Sequence, residues 1–288
     1  MDLHSGLPYW IIRNSLWDYF HPLEKDLSTD VVIVGSGITG ALMAHELCHA
    51  GIKCCIVDKR SIATGSSAAS TALLQYEIDV PLCRMAKIIG EENAATAYHA
   101  CLQSISDIKR VLEETGVNAG FEQLPSLFYA SSAADNKLLE QEHEIRQKHK
   151  LPVNLLEKKK IREEYKVKTP GNALINEASA QMDAYRAATG LLAYHIKESG
   201  LKVFTHTSIK ECIETSDGCI MTTDRGHKIK CGYVIIATGF EAGQFLPQKI
   251  MDLTSTYALV SHPVASEHLW PTHCLIWETA DPYLYIRT

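Results

Sequence analysis

The chain has 288 residues, of which 46% are hydrophobic and 22% are charged, a composition typical of a globular protein with one large core or two linked ones. Its formal net charge of -6 gives no positive field to recruit phosphates, which argues against a nucleic-acid partner. No apolar run has membrane-spanning length, and no basic-then-apolar signal peptide opens the chain, so we expect a cytoplasmic protein without a membrane span.

The nine cysteines, an odd number, are scattered among predicted helices and strands, which favours reduced thiols over a disulfide framework. Cys54 and Cys55 are neighbours on a predicted buried strand, so their side chains should face opposite ways. A metal site built from Cys48, His49, Cys54 and Cys55 is the alternative, but no CxxC pair supports it. We therefore expect burial of these thiols and no metal site.

An aromatic-rich segment, residues 1–28, precedes the first predicted strand. It contains two short amphipathic pieces, at 10–13 and 16–20, which we expect to pack on the body of the protein. A partner-docking arm is the alternative interpretation.

The next segment has the pattern of a βαβ unit with a glycine-rich turn. Four apolar residues at 31–34 predict a strand buried on both faces, and a helical period follows over 38–50 until Gly51. A second apolar strand, 54–57, ends at Asp58. Glycines at the GxGxxG spacing lie between the first strand and the helix, and the candidate cofactor contacts there are Gly35, Ser36, Gly37, Ile38, Thr39 and Gly40.

Each part of this unit has a physical task in binding a dinucleotide. Gly35 permits a tight turn, Gly37 lets the backbone approach a pyrophosphate, and Gly40 lets the helix pack closely on the strand. The helix N-terminus favours an anion through its free N–H groups and its dipole, and Asp58 can accept hydrogen bonds from a ribose. A glycine-rich turn in an unrelated α/β protein is the alternative.

Two later stretches indicate which dinucleotide is bound. A basic pair and a small, hydroxylic run over 61–71 follow Asp58, and a strand over 233–236 leads into a turn at 237–239. The chain thereby resembles the FAD-dependent oxidoreductases of the D-amino acid oxidase and glycine oxidase superfamily, most clearly over residues 30–80 and 175–240. The resemblance implies FAD as cofactor, with further contacts from Lys59, Arg60, Gly65, Ser66, Ser67, Ser70, Thr71, Ile209, Ala237, Thr238 and Gly239. Taken alone, the run over 65–71 is also typical of a flexible loop.

We therefore expect an α/β fold, with a Rossmann-like FAD-binding domain that has a parallel sheet and a small antiparallel meander, plus an α+β substrate domain. The predicted limits are 1–83 and 173–248 for the N-terminal extension and FAD-binding domain, and 84–172 and 249–288 for the substrate domain. The patterns up to residue 172 predict helices over 81–116 with a break at Gly90, a strand over 121–130 broken at Pro125, a helix over 134–150, a strand over 153–156 and a helix over 157–165. After residue 172 the sequence patterns predict a helix over 184–199 and strands over 201–205, 207–214, 219–223, 227–231, 232–236, 257–260 and 274–277.

The last predicted strand carries the candidate substrate-binding residues. Tyr283, Tyr285 and Arg287 alternate along it and should share one face. Two phenols and a guanidinium can bind a carboxylate, and the resemblance implies that such residues hold the substrate and are the catalytic residues. An exposed edge strand with an ordinary surface arginine is the alternative. A second polar set either lines the active cavity or hydrogen-bonds a loop, and it consists of Gln75, Tyr76, Glu77 and Asp79.

The activity implied by the resemblance is oxidation of a small amine or amino acid, with a hydroxyl as the less favoured donor, by hydride transfer to the flavin and hydrolysis of the resulting imine. Family members continue into a glycine-rich segment that returns to the flavin, whereas this chain stops at Thr288. A truncated or non-catalytic FAD- or nucleotide-binding module is therefore an alternative. An NAD-dependent dehydrogenase shares the first glycine motif but should lack the turn at 237–239.

Overall fold

The structure is a computed structural model that describes residues 2–17, 19–246, 248–249 and 252–288. Contacts within the chain divide it into two compact units. The first unit comprises Met1–Thr71, Leu112–Ala119 and Asp183–Leu259, and the second comprises Ala72–Val111, Gly120–Met182 and Val260–Thr288. The domain limits predicted from the sequence stay a prediction.

Helices and strands are interleaved along the described residues. The helices are α1 (Tyr9–Asn14), α2 (Ile38–His49), α3 (Ser66–Ala69), α4 (Leu82–Ile89), α5 (Glu91–Thr115), α6 (Asn136–Lys148), α7 (Lys158–Lys160) and α8 (Ala184–Glu198). The strands are β1 (Leu27–Val34), β2 (Cys54–Val57), β3 (Leu73–Leu74), β4 (Glu122–Tyr129), β5 (Asn154–Leu156), β6 (Ala173–Gln181), β7 (Lys202–Phe204), β8 (Ile209–Thr215), β9 (Gly218–Thr223), β10 (Lys228–Ile236), β11 (Leu275–Glu278) and β12 (Tyr285–Ile286). A π-helical turn, Ile161–Tyr165, continues α7, and a short 3-10 helix follows β10 at Gly239–Gln244.

The first unit is built on a sheet of strand order β7-β2-β1-β10-β9-β8. Strands β7, β2, β1 and β10 are parallel, whereas β9 and β8 complete an antiparallel meander. The predicted break between 231 and 232 is wrong, because β10 runs on as one strand that pairs with both β1 and β9. Gly232 serves close approach there, since an added Cβ would lie 3.3 Å from the oxygen of Asp30 on β1.

Apolar residues of the first unit cover both faces of its parallel strands. Val32 and Val34 pack with Cys55 into a core on one face, and the Cys54 sulfur lies 3.9 Å from the sulfur of Cys48 on α2. The two neighbouring cysteines therefore contact different groups, as the alternation of a strand requires.

In the N-terminal segment, Trp10 is buried and donates through Nε1 to the oxygen of Ser70 at 2.7 Å.

The second unit has a sheet of order β12-β11-β4-β6-β3, with β5 also paired to β6. The register of β4 against β6 shifts between Leu124 and Ser126, around Pro125, which cannot donate a ladder hydrogen bond. Gly90 separates α4 from α5 with φ +86°, a backbone region that favours glycine. Both breaks agree with the sequence pattern.

Near the C-terminus, one predicted strand is wrong and another is longer than the strand in the structure. Residues 257–260 form no strand in the described part of the chain, because Tyr257 and Leu259 are 93% and 98% exposed and no neighbouring strand pairs with them. The last strand is limited to Tyr285 and Ile286, which pair with β11. None of the described helices is long and apolar enough to cross a membrane.

Candidate functional site

The turn between β1 and α2 depends on its glycines for steric reasons. Gly35 has φ +110°, and an added Cβ would come closer than 3.0 Å to the backbone of Ala237. A Cβ at Gly40 would also come closer than 3.0 Å to the backbone oxygen of Gly35, so α2 lies directly on the turn. A Cβ at Gly37 would meet the Ser67 hydroxyl oxygen at 2.9 Å. The turn is therefore enclosed by the ends of β10 and α3 as well as by α2.

The first turn of α2 presents backbone N–H groups beside these glycines. The amide of Ile38 donates to Ser67 Oγ at 2.9 Å, and the first helical hydrogen bond runs from Ala41 N to Gly37 O. By position, the amides of Thr39 and Gly40 have no acceptor within the helix. Together with the helix dipole they favour an anion at this place.

Segment 65–71, which the resemblance assigns to the cofactor, forms the short helix α3 in the same unit. Gly65 precedes the helix, Ser66 begins it, and Ser67 is buried with its hydroxyl on α2. The carbonyl of Ser70 accepts from the N-terminal helix α1, and Thr71 follows it, half-buried. The segment is therefore fixed by neighbours on both sides.

Asp58, at the end of β2, holds the glycine turn. Its Oδ2 accepts from the backbone N and the hydroxyl of Ser36 at 2.8 and 2.6 Å, and its Oδ1 accepts from the backbone N of Arg60 at 2.8 Å. A carboxylate has about four lone-pair sites, so three are used within the protein. The site that remains, on Oδ1, can accept a ribose hydroxyl.

The two basic residues after Asp58 bind an acid that the sequence analysis missed. Lys59 Nζ lies 2.7 Å from Glu241 Oε1, and Arg60 reaches both oxygens of the same carboxylate at 2.8 and 3.1 Å. The hydrogen bond from Arg60 lowers the pKa of Glu241 to about 2, although burial opposes this shift. No spacing rule links residues 60 and 241, so only the three-dimensional arrangement reveals the pair.

The turn after β10 carries a buried hydroxyl that has no hydrogen-bond partner in the described part of the chain. Ala237 N donates to the oxygen of Val34 at 2.8 Å, which joins this turn to the end of β1. Thr238 Oγ1 is buried and has no hydrogen-bond partner among the described residues, an arrangement that is costly in the absence of a ligand. Gly239 has φ +57° and begins the 3-10 helix. Ile209, the remaining candidate of the first unit, is half-buried at the start of β8.

The candidate substrate residues lie in the second unit. The rings of Tyr283 and Tyr285 are 5.6 Å apart, and the Tyr283 hydroxyl donates to Asp79 Oδ1 at 2.9 Å. Burial, followed by this hydrogen bond, raises the pKa of Tyr283 to about 12, so the phenol stays protonated. Arg287 Nη1 donates to the backbone oxygens of residues 182 and 72 at 3.0 and 3.4 Å.

The polar side chains at 75–79 have different partners: Tyr76 and Glu77 contact the buried Arg146, whereas Gln75 and Asp79 contact other side chains of the second unit. Glu77 is buried and pairs with Arg146 at 3.2 Å, and the Arg146 guanidinium lies 5.5 Å from the ring centre of Tyr76. Burial raises the pKa of Glu77, against the charge of Arg146, which lowers it. Gln75 donates to the Ser126 hydroxyl at 2.7 Å. Tyr76 and Glu77 therefore belong to an internal network of this unit.

Among the described residues, a single group of three potential metal ligands was found, formed by Glu91, Glu92 and His149. Its Glu91 oxygen already contacts Lys148 Nζ at 2.7 Å, and the group lies in a salt-bridged helix end. His149 Nε2 also lies 2.7 Å from this oxygen, so both of its lone-pair sites already have partners within the protein.

A βαβ unit with a glycine turn, an N–H-lined helix start and a carboxylate at the second strand defines a dinucleotide-binding protein of the Rossmann type. The family model for FAD dependent oxidoreductases matches residues 30–288, and the chain belongs to this family. Both the α/β fold class and the superfamily resemblance inferred from the sequence are thereby confirmed. The cofactor of the family is FAD.

Individual proteins that are similar to this chain over most of its length differ from it strongly in sequence. The putative Rieske 2Fe-2S iron-sulfur protein YhfW of Bacillus subtilis (strain 168) is 23% identical over 81% of this chain and 44% of its own length. L-Proline dehydrogenase from P. horikoshii has a TM-score of 0.70 and 19% identity, with 91% of this chain and 67% of that chain covered. Glycine oxidase from Geobacillus kaustophilus has a TM-score of 0.64 and 22% identity over 75% and 57% of the two chains. The chain thus spans about half the length of the Bacillus and Geobacillus proteins.

Proposed function

We propose that the protein oxidises a small amine or amino acid at the C–H bond next to its nitrogen, with FAD held by the first unit. The observation that carries this proposal is the buried hydroxyl of Thr238, for which the described residues offer no partner, beside a turn where only glycine fits at residue 35. A buried hydroxyl in a folded protein normally has a partner, and a cofactor atom would supply one. Family membership supports FAD as that partner.

The residues proposed to hold FAD fall into groups, each of which would contact a different part of the cofactor. The turn at 35–40 and the start of α2 would take the diphosphate, and Asp58 would use its remaining acceptor site for the ribose. Segment 65–71 and the turn at 237–239 are proposed for the flavin side, and Ile209 for the adenine. Lys59 and Arg60 are proposed to act through Glu241, because their side chains bind its carboxylate.

When bound, FAD supplies the hydride acceptor for the substrate C–H bond. The protein's own contribution is to bind and orient the substrate, which lowers the barrier by positioning. Tyr283, Tyr285 and Arg287 are the proposed carboxylate-binding set, since the guanidinium fork of Arg287 and the neutral phenol of Tyr285 suit that group. Tyr283, whose single O–H donates to Asp79, would join the set by redirecting that proton to the substrate. The two backbone oxygens on Arg287 Nη1 restrict the orientation of its guanidinium.

The proposed partner is a small-molecule substrate, and the proposed location is the cytoplasm. All nine cysteines are free thiols, which fits a reducing compartment. The L-proline dehydrogenase and glycine oxidase to which the fold is similar are named for amino-acid substrates. The proposed substrate class rests on that similarity and on the family.

The absorbance spectrum of the purified protein tests the cofactor. Bound flavin gives bands at about 370 and 450 nm, a property of the cofactor itself. Anaerobic bleaching of these bands by candidate amines and amino acids then tests the activity. Bands that no such donor bleaches would leave a non-catalytic FAD module, and binding of NAD without flavin bands would favour a dehydrogenase.

Asp58→Ala is expected to weaken cofactor retention, because it removes the ribose acceptor and releases Ser36 from the turn. Flavin occupancy after gel filtration measures this effect. Asp26→Ala is the matched control, since Asp26 also accepts a backbone hydrogen bond in the first unit, from Lys228 N, outside the candidate site. Unchanged occupancy in Asp58→Ala would contradict the assignment of Asp58.

A further inference from the structure

Glu241 connects two loops that leave the same edge of the first unit's sheet. Strands β1, β2 and β10 are parallel neighbours, so the residues after their C-terminal ends lie side by side. Glu241 follows the turn at 237–239 after β10, and its side chain reaches the basic pair after β2. The contact therefore spans the glycine turn that follows β1.

The contact between Glu241 and the basic pair combines burial with hydrogen bonds between charged groups. Glu241 is 5% exposed, and its carboxylate accepts hydrogen bonds from Lys59 Nζ and from both terminal nitrogens of the Arg60 guanidinium. Hydrogen bonds between ionised groups are shorter and stronger than neutral ones. A buried carboxylate without its partners is strongly unfavourable, so the two loops are held at a fixed separation.

A continuous set of hydrogen bonds extends from this carboxylate to the glycine turn. Arg60 uses its guanidinium for Glu241 and its backbone N for Asp58 Oδ1 at 2.8 Å. Asp58 in turn holds the backbone N and hydroxyl of Ser36. One residue, Arg60, thus joins the carboxylate proposed for the ribose to the turn proposed for the flavin.

We propose that Glu241 is a positioning residue that sets the distance between the ribose-binding loop at 58–60 and the turn at 237–239. This inference rests on the proposed binding of FAD. Its consequence is selective: Glu241 supports binding of the intact dinucleotide, which engages both loops. A ligand that contains the adenine nucleotide alone engages the glycine turn and Asp58, and it gains nothing from a fixed position of residues 237–239.

The test compares the affinities of the apo-protein for FAD and for ADP in Glu241→Gln. FAD binding is measured by quenching of flavin fluorescence and ADP binding by calorimetry. We expect the FAD dissociation constant to rise about tenfold, the size expected for the loss of a hydrogen bond between charged groups, and that of ADP to change less than about threefold. The Asp58 contacts that ADP needs are local and stay in place.

Two further variants make the result decisive. Glu198→Gln is the control, because Glu198 forms an exposed ion pair with Lys197 at 2.7 Å in the same unit, and it should change neither affinity. Glu241→Asp keeps the charge but shortens the side chain, and it should also weaken FAD selectively. If Glu241→Gln does not fold, Glu241→Asp decides.

The outcomes separate the inference from the proposed function. If the wild type binds FAD and both Glu241 variants lose FAD and ADP affinity equally, or lose neither, Glu241 does not position the turn and the inference is overturned alone. A merely structural role predicts that equal loss, together with a lower melting temperature. If the wild type binds ADP but not FAD, the proposed function is overturned and the inference with it.

Discussion

Replacing Gly40 by alanine tests whether α2 must lie directly on the glycine turn for the cofactor site to form. A Cβ at residue 40 would come closer than 3.0 Å to the backbone oxygen of Gly35. A backbone atom cannot move aside as the end of a side chain can, so helix and turn have to separate. The N–H groups of Thr39 and residue 40 would move with the helix.

Two opposing contributions set the change in the free energy of unfolding. Alanine is favoured over glycine inside a helix by about 1 kcal/mol, whereas overpacking costs about 1–3 kcal/mol. The apo-protein should therefore lose about 0–2 kcal/mol of stability. The FAD dissociation constant should rise at least about tenfold, or about 1.4 kcal/mol, because the displaced amides no longer converge on the diphosphate.

Urea unfolding followed by circular dichroism measures the stability, and quenching of flavin fluorescence measures the affinity. Gly190→Ala is the matched control, because Gly190 lies within α8 and an added Cβ would crowd a side chain, that of Val117. It should change stability by a similar amount and leave FAD binding unchanged. The reasoning is refuted if Gly40→Ala binds FAD as tightly as the wild type.

Arg287→Leu should raise the concentration of a carboxylate-bearing substrate needed for flavin reduction without releasing FAD, and an unaltered concentration dependence would remove Arg287 from the site. Arg146→Met should destabilise the second unit by about 3–5 kcal/mol in urea unfolding, because it leaves the buried carboxylates of Glu142 and Glu77, which lie 2.7 and 3.2 Å from the Arg146 guanidinium, without their counter-charge; a loss under about 1 kcal/mol would contradict this. Burial, followed by the charge of His45, lowers the pKa of His195 below its usual 6.5, so the unfolded chain binds more protons and stability should fall as the pH drops below 6.5. Urea midpoints at successive pH values check this, and the slope should weaken in His195→Gln.

The parts of the fold that follow from local sequence were predictable. The glycine spacing, the helical period and the apolar strand before Asp58 each reflect a constraint within a few residues, and the structure gives Gly35 and Gly40 steric requirements of the expected kind. The stop at Gly90 also follows from local backbone geometry. For this reason the βαβ unit and the α/β class follow from the amino-acid sequence alone.

Features that depend on distant partners could not be inferred in this way. Gly232 resembles a strand break in the sequence, but it permits close approach of β10 to β1. Residues 257–260 have a strand-like composition, but no strand among the described residues pairs with them. Glu241 and Arg146 are typical surface residue types, and each is buried with a partner far along the chain, Arg60 for Glu241 and Glu77 for Arg146. Sequence periodicity contains no information on such pairings.

The use of Asp58 shows how the fold prepares the proposed site before a ligand arrives. Three of its acceptor sites fix Ser36 and Arg60, so the glycine turn and the loop after β2 are ordered by folding. Binding then need not meet the entropy cost of ordering those segments, which is how preorganisation raises affinity. A carboxylate that made all its hydrogen bonds to the ligand would leave the turn unsupported in the apo-protein. The single acceptor site left on Oδ1 is therefore consistent with a residue that both holds the turn and binds the ribose.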